Sequence, residues 1–379
     1  MSDLVRQELI AQADMIVVKV GTRVLTCANG TLNQQRIAAL AEDVSALCDA
    51  GRKVVLVSSG AVGAGMGQLG LTKRPTDVAQ LQAVAAVGQS HLIEAYDRCL
   101  KLHGRHAAQL LLTADGLNDR ARYLNVRNTI LTLLDYGAVP IINENDTVSV
   151  DELQLTFGDN DRLAAMVTNA IRAPLLVLLS DVDGLYNGDP RDPANHVIDI
   201  VETLDESIYA LVRDKLTGMS KGGMASKLAA ARIATSAGES VVIANGHRDG
   251  ILKQLFAGDQ VGTLFLPQGQ TVPSRKRWIG YAVRPRGTLT LDAGARKALA
   301  ESGRSLLAIG VAEVAGVFEK GDLVAIVGPD GIEFARGLSN YSSADISRIK
   351  GMRTDQIAGV LGHCPYTEII HRDNLAISV

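Results

Sequence analysis

The chain has 379 residues, 47% of them hydrophobic and 21% charged, which suits two or three soluble domains with large cores. Its 38 basic and 41 acidic residues leave a net charge of −3, too balanced for a chain whose main partner is a nucleic acid or an anionic membrane surface. The four cysteines, at 27, 48, 99 and 364, form no CxxC pair, so neither a structural zinc nor a disulfide frame is expected. The opening stretch "MSDLVRQELIAQAD" lacks the apolar run of a signal peptide, and "APLLVLL" is far too short to span a bilayer. A cytoplasmic enzyme is the expectation.

Residues 15–265 alternate strand and helix signals. Short apolar, β-branched runs occur at "MIVVKV", "KVVLVSS", "AAQLLL", "AVPII", "PLLVLLS" and "VVIAN". Runs without polar alternation predict strands covered on both faces. Between them, "QQRIAALAEDVSALCDAG" places Ile37, Leu40, Val44 and Leu47 on one helical face, and Gly51 closes the helix in a left-handed C-cap. "ASKLAAARIATSAG" repeats that design and ends at Gly238. The alternation predicts an α/β fold, a mainly parallel central sheet sandwiched by helices. After residue 266 the pattern changes. Residues 267–286, with their prolines, read as a linker, and residues 287–379 as a small β-rich domain. There "GTLTLDAG", "SLLAIGVAEV", "DLVAIVGPDGIEFARGLSN" and "TEIIHRD" read as short strands separated by turns, with "GPDG" a hairpin turn.

The chemistry-bearing residues fall just after predicted strands, where open parallel sheets bind ligands. "KVGT" puts Lys19 beside a glycine turn, a buried-looking lysine that needs an anion. "SSGAVGAGMG" carries Gly60, Gly63, Gly65 and Gly67, read as close backbone approach to an anion at a helix N-terminus, though it matches neither the P-loop nor GxGxxG. "NENDTVSVDE" is an acidic stretch following a buried strand, able to face a cation or to lie in solvent. "FGDNDRLAAMVTNAI" offers Asp159 as a helix cap, with Asn160 and Asp161 in the first turn. "LLSDVDGLYNGDPR" and "SKGGMASK" add an aspartate-rich loop and a second glycine turn carrying Lys227. Two lysines on two glycine turns point to a polyphosphate.

The ordered set "VVKVGT", "VSSGAVGAG", "VPIINENDTV", "FGDNDRLAA", "LLSDVDGLYNGDPR" and "GGMASKLAAA" closely resembles the amino acid kinase superfamily and, within it, the glutamate 5-kinase family. "RKRWIG" and "FARGLSNYSSADISRIKG" make the C-terminal segment resemble a PUA domain, which sets this family apart from acetylglutamate, carbamate and uridylate kinases. The resemblance implies ATP-dependent phosphorylation of the γ-carboxylate of L-glutamate to glutamyl 5-phosphate, the first step of proline biosynthesis, with 1–266 as the catalytic domain. It implies that Lys19 and Lys227 act on the phosphates during catalysis. Ser59 and Gly60 of the "SSG" turn, Asp146 and Asn160 would bind glutamate. Ser180, Asp181, Lys221, Gly222, Gly223, Met224, Ala225, Ser226 and Lys227 would bind ATP. One departure stands out: where the family reads GTGGM, this chain has "SKGGM", with Ser220 and Lys221 in place of glycine and threonine. That change restricts the turn and offers a further phosphate contact.

Elementary chemistry agrees with that implication. A γ-carboxylate has a reference pKa near 4.3, so it is ionised at neutral pH and needs no general base. The obstacle is repulsion between an anionic nucleophile and anionic phosphates, which lysines, helix N-termini and Mg²⁺ relieve. The Mg²⁺ ligands are left unassigned, because that ion takes few protein ligands and keeps waters. The resemblance also implies a homo-oligomer, dimer or tetramer, and feedback inhibition by proline. Residues 284–379 hold 11 basic and 11 acidic residues, which argues against RNA as a partner of the tail.

Overall fold

The protein is described by a computed structural model over residues 2–27, 30–113, 116–148, 159–212, 222–268, 279, 285–364 and 366–377. The chain divides into two compact units, Met1–Gln270 and Thr271–Val379. No helix among the described residues is long and apolar enough to cross a membrane. All four cysteines are free thiols.

The first unit is built on an eight-stranded sheet in the order β3-β4-β2-β1-β5-β7-β8-β6. Its strands are β1 (Met15–Val20), β2 (Lys53–Ser58), β3 (Ala107–Leu112), β4 (Val139–Glu144), β5 (Leu175–Ser180), β6 (Ile200–Val201), β7 (Ser240–Asn245) and β8 (Thr263–Phe265). Every pairing is parallel except β7 with β8. The helices are α1 (Ser2–Ala11), α2 (Thr22–Leu25), α3 (Gln34–Asp49), α4 (Ala61–Gln68), α5 (Val78–Lys101), α6 (Arg120–Asp135), α7 (Asp159–Ile171), α8 (Glu206–Ala210), α9 (Gly222–Ser236) and α10 (Ile251–Ala257). The strands β4 and β5 are buried along their whole length, as continuous apolar runs predict for strands covered on both faces. The edge strand β3 departs from that expectation. It alternates half-buried and exposed residues, because it has a neighbour on one side within the sheet and leaves Gln109 and Leu111 exposed.

Helix α3 buries Ile37, Leu40, Val44 and Leu47 on one face and stops before Gly51, whose φ of 83° supplies the left-handed turn. Glycine density in "SSGAVGAGMG" has two separate causes. Gly60 takes a φ of 108° at the N-cap of α4, a conformation that L side chains rarely adopt. Gly65 instead lets α4 lie against α5: a Cβ there would sit 1.9 Å from the Val84 carbonyl oxygen, and one on Gly88 would sit 1.8 Å from that of Ala61. Gly67 likewise faces Thr31. The expectation that all four glycines mark approach to an anion is therefore corrected. Only Gly60 and Gly63 border the cleft described below, while Gly65 and Gly67 serve packing.

The second unit carries a five-stranded sheet ordered β10-β9-β11-β12-β13. Its strands are β9 (Gly287–Leu291), β10 (Val311–Gly316), β11 (Leu323–Val327), β12 (Glu333–Leu338) and β13 (Leu375–Ile377). The β11–β12 hairpin turns through Gly328–Gly331, where Gly331 has a φ of 74°, as "GPDG" predicts. Two readings need correction. "TEIIHRD" is not a strand: Ile370 makes an isolated bridge with Leu306, and the last strand comes after it at β13. The unit also holds helices α11 (Ala293–Ser302), α12 (Ser343–Ile349) and α13 (Thr354–Leu361). The first two are capped by Asp292 and Ser342, whose side chains accept from backbone N–H groups of the first turn.

Candidate active site

Strand β1 lies at the centre of the sheet, between β2 and β5 in parallel register, with Lys19 opposite Val57 and Leu178. The chain leaves β1 toward β2 and later returns to the other side at β5, so a topological switch lies at the carboxyl end of β1. A cleft of about 700 Å³ opens there. Its wall includes Lys19, Ser59, Gly60, Asp146, Asn160, Ser180, Asp181, Gly223, Met224, Ser226 and Lys227, so residues far apart in sequence meet in one place. Gly222 opens helix α9, and Ala225 lies in its first turn without lining the wall. Lys221 and Ser220 lie outside the described residues.

The floor of the cleft is an ionic triad. Lys19 Nζ lies 2.6 Å from Asp161 Oδ1, and Lys227 Nζ lies 3.1 Å from Asp161 Oδ2. Ser226 Oγ donates to the same Oδ2 at 2.7 Å, and Lys227 Nζ donates to the Gly223 carbonyl at 3.3 Å. All three ionic side chains are nearly buried, at 8%, 2% and 10% exposure for Lys19, Asp161 and Lys227. The anion beside Lys19 in this structure is therefore Asp161. Burial pushes the Asp161 carboxyl up, but the two ammonium groups and the hydrogen bonds from Lys19 and Ser226 hold it below the usual carboxylate range. Burial draws the Lys227 ammonium below the usual lysine range, with Lys19 adding repulsion and Asp161 opposing.

Asp161, like Asn143 and Arg23, is a cleft residue that sequence reasoning left out of the site. Its place in the first turn of α7 was legible, but not that it would point between two lysines from different turns. The expectation that Asp159 caps α7 also changes, because the helix begins at Asp159 itself.

One end of the cleft is polar and amide-rich. Asn160 Nδ2 donates to Ser59 Oγ at 2.9 Å and to Asn143 Oδ1 at 3.0 Å. Ser59 is held by its backbone N–H, which donates to the Val20 carbonyl, and its own carbonyl accepts from Ser58 Oγ. Ser58 is in turn 3.1 Å from the hydroxyl of Tyr96, a fully buried phenol pushed up to about 12 by desolvation. Helix α4 opens directly after this turn with no side-chain cap, and Gly60, Ala61, Val62 and Gly63 face the cleft. Its first N–H groups make that edge attractive to an anion.

The other end holds Ser180 and Asp181 at the exit of β5. Ser180 Oγ donates to Asp181 Oδ1 at 3.2 Å, and Arg23 Nη1 lies 2.8 Å from Asp181 Oδ2. Burial raises the Asp181 carboxyl, yet Arg23 and local hydrogen bonds bring it below the usual range. Leu185, Tyr186, Leu211 and Val212 add apolar surface to the cleft, suited to a flat heterocycle.

Comparison with known proteins fits this geometry. Residues 14–245 match the model of the amino acid kinase family, and residues 287–361 match that of the PUA domain. The chain belongs to the amino acid kinase family. Among curated relatives, the glutamate 5-kinase of Rhodopirellula baltica is 48% identical over 375 residues, covering 99% of this chain and 96% of the relative. That of Caldanaerobacter subterraneus is 45% identical, covering 96% and 97%, and that of Pseudomonas putida is 46% identical, covering 95% and 97%. The family match spans the eight-stranded unit up to the end of β7, and so includes every cleft residue named above.

Proposed function

We propose that the protein transfers the terminal phosphoryl group of ATP to the γ-carboxylate of L-glutamate, giving glutamyl 5-phosphate and ADP, the first step of proline biosynthesis. The observation that carries this reading is the convergence of Lys19 and Lys227 on Asp161, between a turn rich in hydrogen-bond donors and an apolar, serine- and aspartate-edged recess. Full-length similarity to relatives named glutamate 5-kinase supports the choice of substrate.

In this reading the recess beside Ser180 and Asp181 takes the nucleotide, with the first turn of α9 at its phosphates. The Ser59 turn holds a glutamate carboxylate, Asn160 lies beside it and orients the Ser59 hydroxyl, and Asp146 faces the ammonium. An oxygen of the ionised γ-carboxylate attacks the terminal phosphorus as the bond to the β,γ-bridging oxygen breaks. The electron pair leaves with ADP, and no proton has to move. The work of the protein is alignment and charge neutralisation. Asp161 does not react in this scheme. It fixes both ammonium groups where phosphate charge develops, which is a positioning role. Bound with ATP, Mg²⁺ supplies further neutralisation of the phosphates. Among the described residues no group of three His, Cys, Asp or Glu side chains converges, so the protein ligands of the ion stay unassigned.

The same proposal takes 1–266 as catalytic, 267–286 as linker and 287–379 as the PUA domain. It includes a homo-oligomer, and inhibition by proline, which shares the α-amino acid portion of glutamate. Trapping the acyl phosphate with hydroxylamine tests the function directly. Hydroxamate should form with ATP and glutamate, and far less with acetylglutamate or aspartate. Preference for acetylglutamate would overturn the assignment.

A further inference from the structure

Helix α5 supplies none of the ligand-facing residues named so far, yet one of its polar side chains reaches the back of the substrate turn. Gln89 is buried, with 9% exposure. Its Oε1 accepts from Asn143 Nδ2 at 2.8 Å. Asn143 Oδ1 accepts from Asn160 Nδ2 at 3.0 Å, and Asn160 Nδ2 also donates to Ser59 Oγ at 2.9 Å. Three amides from α5, β4 and α7 thus form one directed chain that ends on the hydroxyl of Ser59 at the cleft wall.

An amide has a donor end and an acceptor end. A buried row of amides must point one way throughout, or two donors or two acceptors face each other unmatched. In the direction observed, Asn160 spends its two N–H groups on Asn143 and Ser59. Ser59 Oγ is therefore an acceptor toward the interior, and its own proton is left to give elsewhere. A carboxylate oxygen can only accept. With the chain reversed, Ser59 would give its proton to the carbonyl of Asn160 and turn lone pairs toward an incoming carboxylate. We infer that Gln89 is a positioning residue for substrate binding: by accepting from Asn143 it sets the direction of the three-amide chain and makes Ser59 a hydrogen-bond donor to the substrate carboxylate. This inference rests on the reading above that Ser59 and Asn160 face glutamate.

The test uses the full-length protein. Wild type is first assayed for hydroxamate formation from glutamate and ATP, which tests the substrate assignment by itself. Gln89→Met then keeps the side-chain volume and removes the acceptor, with Gln89→Leu as a second truncation if the first does not fold. Gln89→Glu keeps the acceptor. Losing the directing acceptor should raise KM for glutamate about tenfold while KM for ATP stays within about twofold. Gln89→Glu should keep KM for glutamate within about threefold of wild type. Should catalysis be too weak to assay, thermal unfolding gives the same answer. The truncated variant should keep its stabilisation by a non-hydrolysable ATP analogue and lose most of its stabilisation by glutamate. With an active wild type, equal shifts in both KM values, no shift in either, or a Gln89→Glu variant as impaired for glutamate as Gln89→Met would each overturn the inference.

Discussion

The two units solve the problem of a polar interior in opposite ways. In the unit built on β1–β8, Lys19, Asn143, Asn160, Asp161, Ser180 and Lys227 are each less than one-tenth exposed, all near the carboxyl ends of the central strands. Among the described residues of the C-terminal unit, Ser339 is the one buried polar residue, and it is satisfied locally by the carbonyl of Tyr341. Burying charge is costly unless partners match it closely, and a hydrophobic replacement of equal volume often serves stability as well or better. A unit that keeps two lysines and an aspartate out of water has given up stability for preorganised charge. The C-terminal unit, built on leucine, isoleucine and valine around Phe318 and Phe334, has made no such exchange.

The largest effects should therefore come from the ionic triad. Lys227→Met should lower kcat by about 100-fold or more, the scale seen when a charge-stabilising donor is removed from a transition state. KM for either substrate should move much less, and steady-state kinetics with both substrates varied would show the split. A rise confined to KM, with kcat unchanged, would show that Lys227 serves binding shared by ground and transition state. Asp161→Asn leaves two buried ammonium groups without their counter-ion and should cost roughly 3–5 kcal/mol in denaturant unfolding at neutral pH. The pH dependence has a definite sign. Asp161 is held below its ordinary pKa, so its contribution is fully present above the unfolded carboxylate value of about 3.9 and is lost as pH falls through the lower folded value. The stability gap between wild type and Asp161→Asn should be the same at pH 7 and pH 5 and close only in stronger acid.

The contrast also marks what could be read from the sequence. The strands of the first sheet were legible because unbroken apolar runs such as "PLLVLLS" suit little else, and the turns after β1, β2, β4 and β5 followed them directly, while Asp159 of "GDND" and Gly222 of "SKGGM" open helices instead. Lys19 and Lys227 were visible as lysines beside glycine turns, whereas Ser59 and Asp146 were singled out by the resemblance to the amino acid kinase superfamily. Asp161 was harder. In "GDND" three polar residues compete, and only the helical phase of α7 against β1 decides which of them reaches the lysines. Gln89 carried no signal, since its role depends on Asn143, a residue on another element 54 positions away. Gly65 and Gly88 were visible as glycines, but their pairing across α4 and α5 is a tertiary fact. In the C-terminal unit the helices that follow Asp292 and Ser342 were not read from the sequence, which was taken there as strands and turns.

A middle-sized effect should come from the α4–α5 contact, where backbone touches backbone. A methyl group on Gly65 would fall 1.9 Å from the Val84 carbonyl oxygen, so the helices must move apart. Overpacking of this kind costs about 1–3 kcal/mol. Because α4 starts at the Ser59–Gly60 turn, Gly65→Ala should lower Tm and raise KM for glutamate together, with less change in KM for ATP. A lowered Tm with both KM values untouched would show that the turn is held by Ser58, Tyr96 and the amide chain independently of this contact.

The smallest effect on catalysis should come from the C-terminal core, and that makes it the sharpest check of the contrast. Ile346 is fully buried in the apolar cluster of that unit, on α12. Truncating it to alanine should cost roughly 2–5 kcal/mol of that unit's stability by lost burial and cavity formation. If that unit carries no part of the catalytic charge arrangement, the folded Ile346→Ala protein should show kcat and both KM values within about twofold of wild type, while differential scanning calorimetry records a lower or separated transition. Selective loss of glutamate affinity in this variant would break the contrast, because it would mean that an apolar core without a buried ion helps to hold the substrate turn in place.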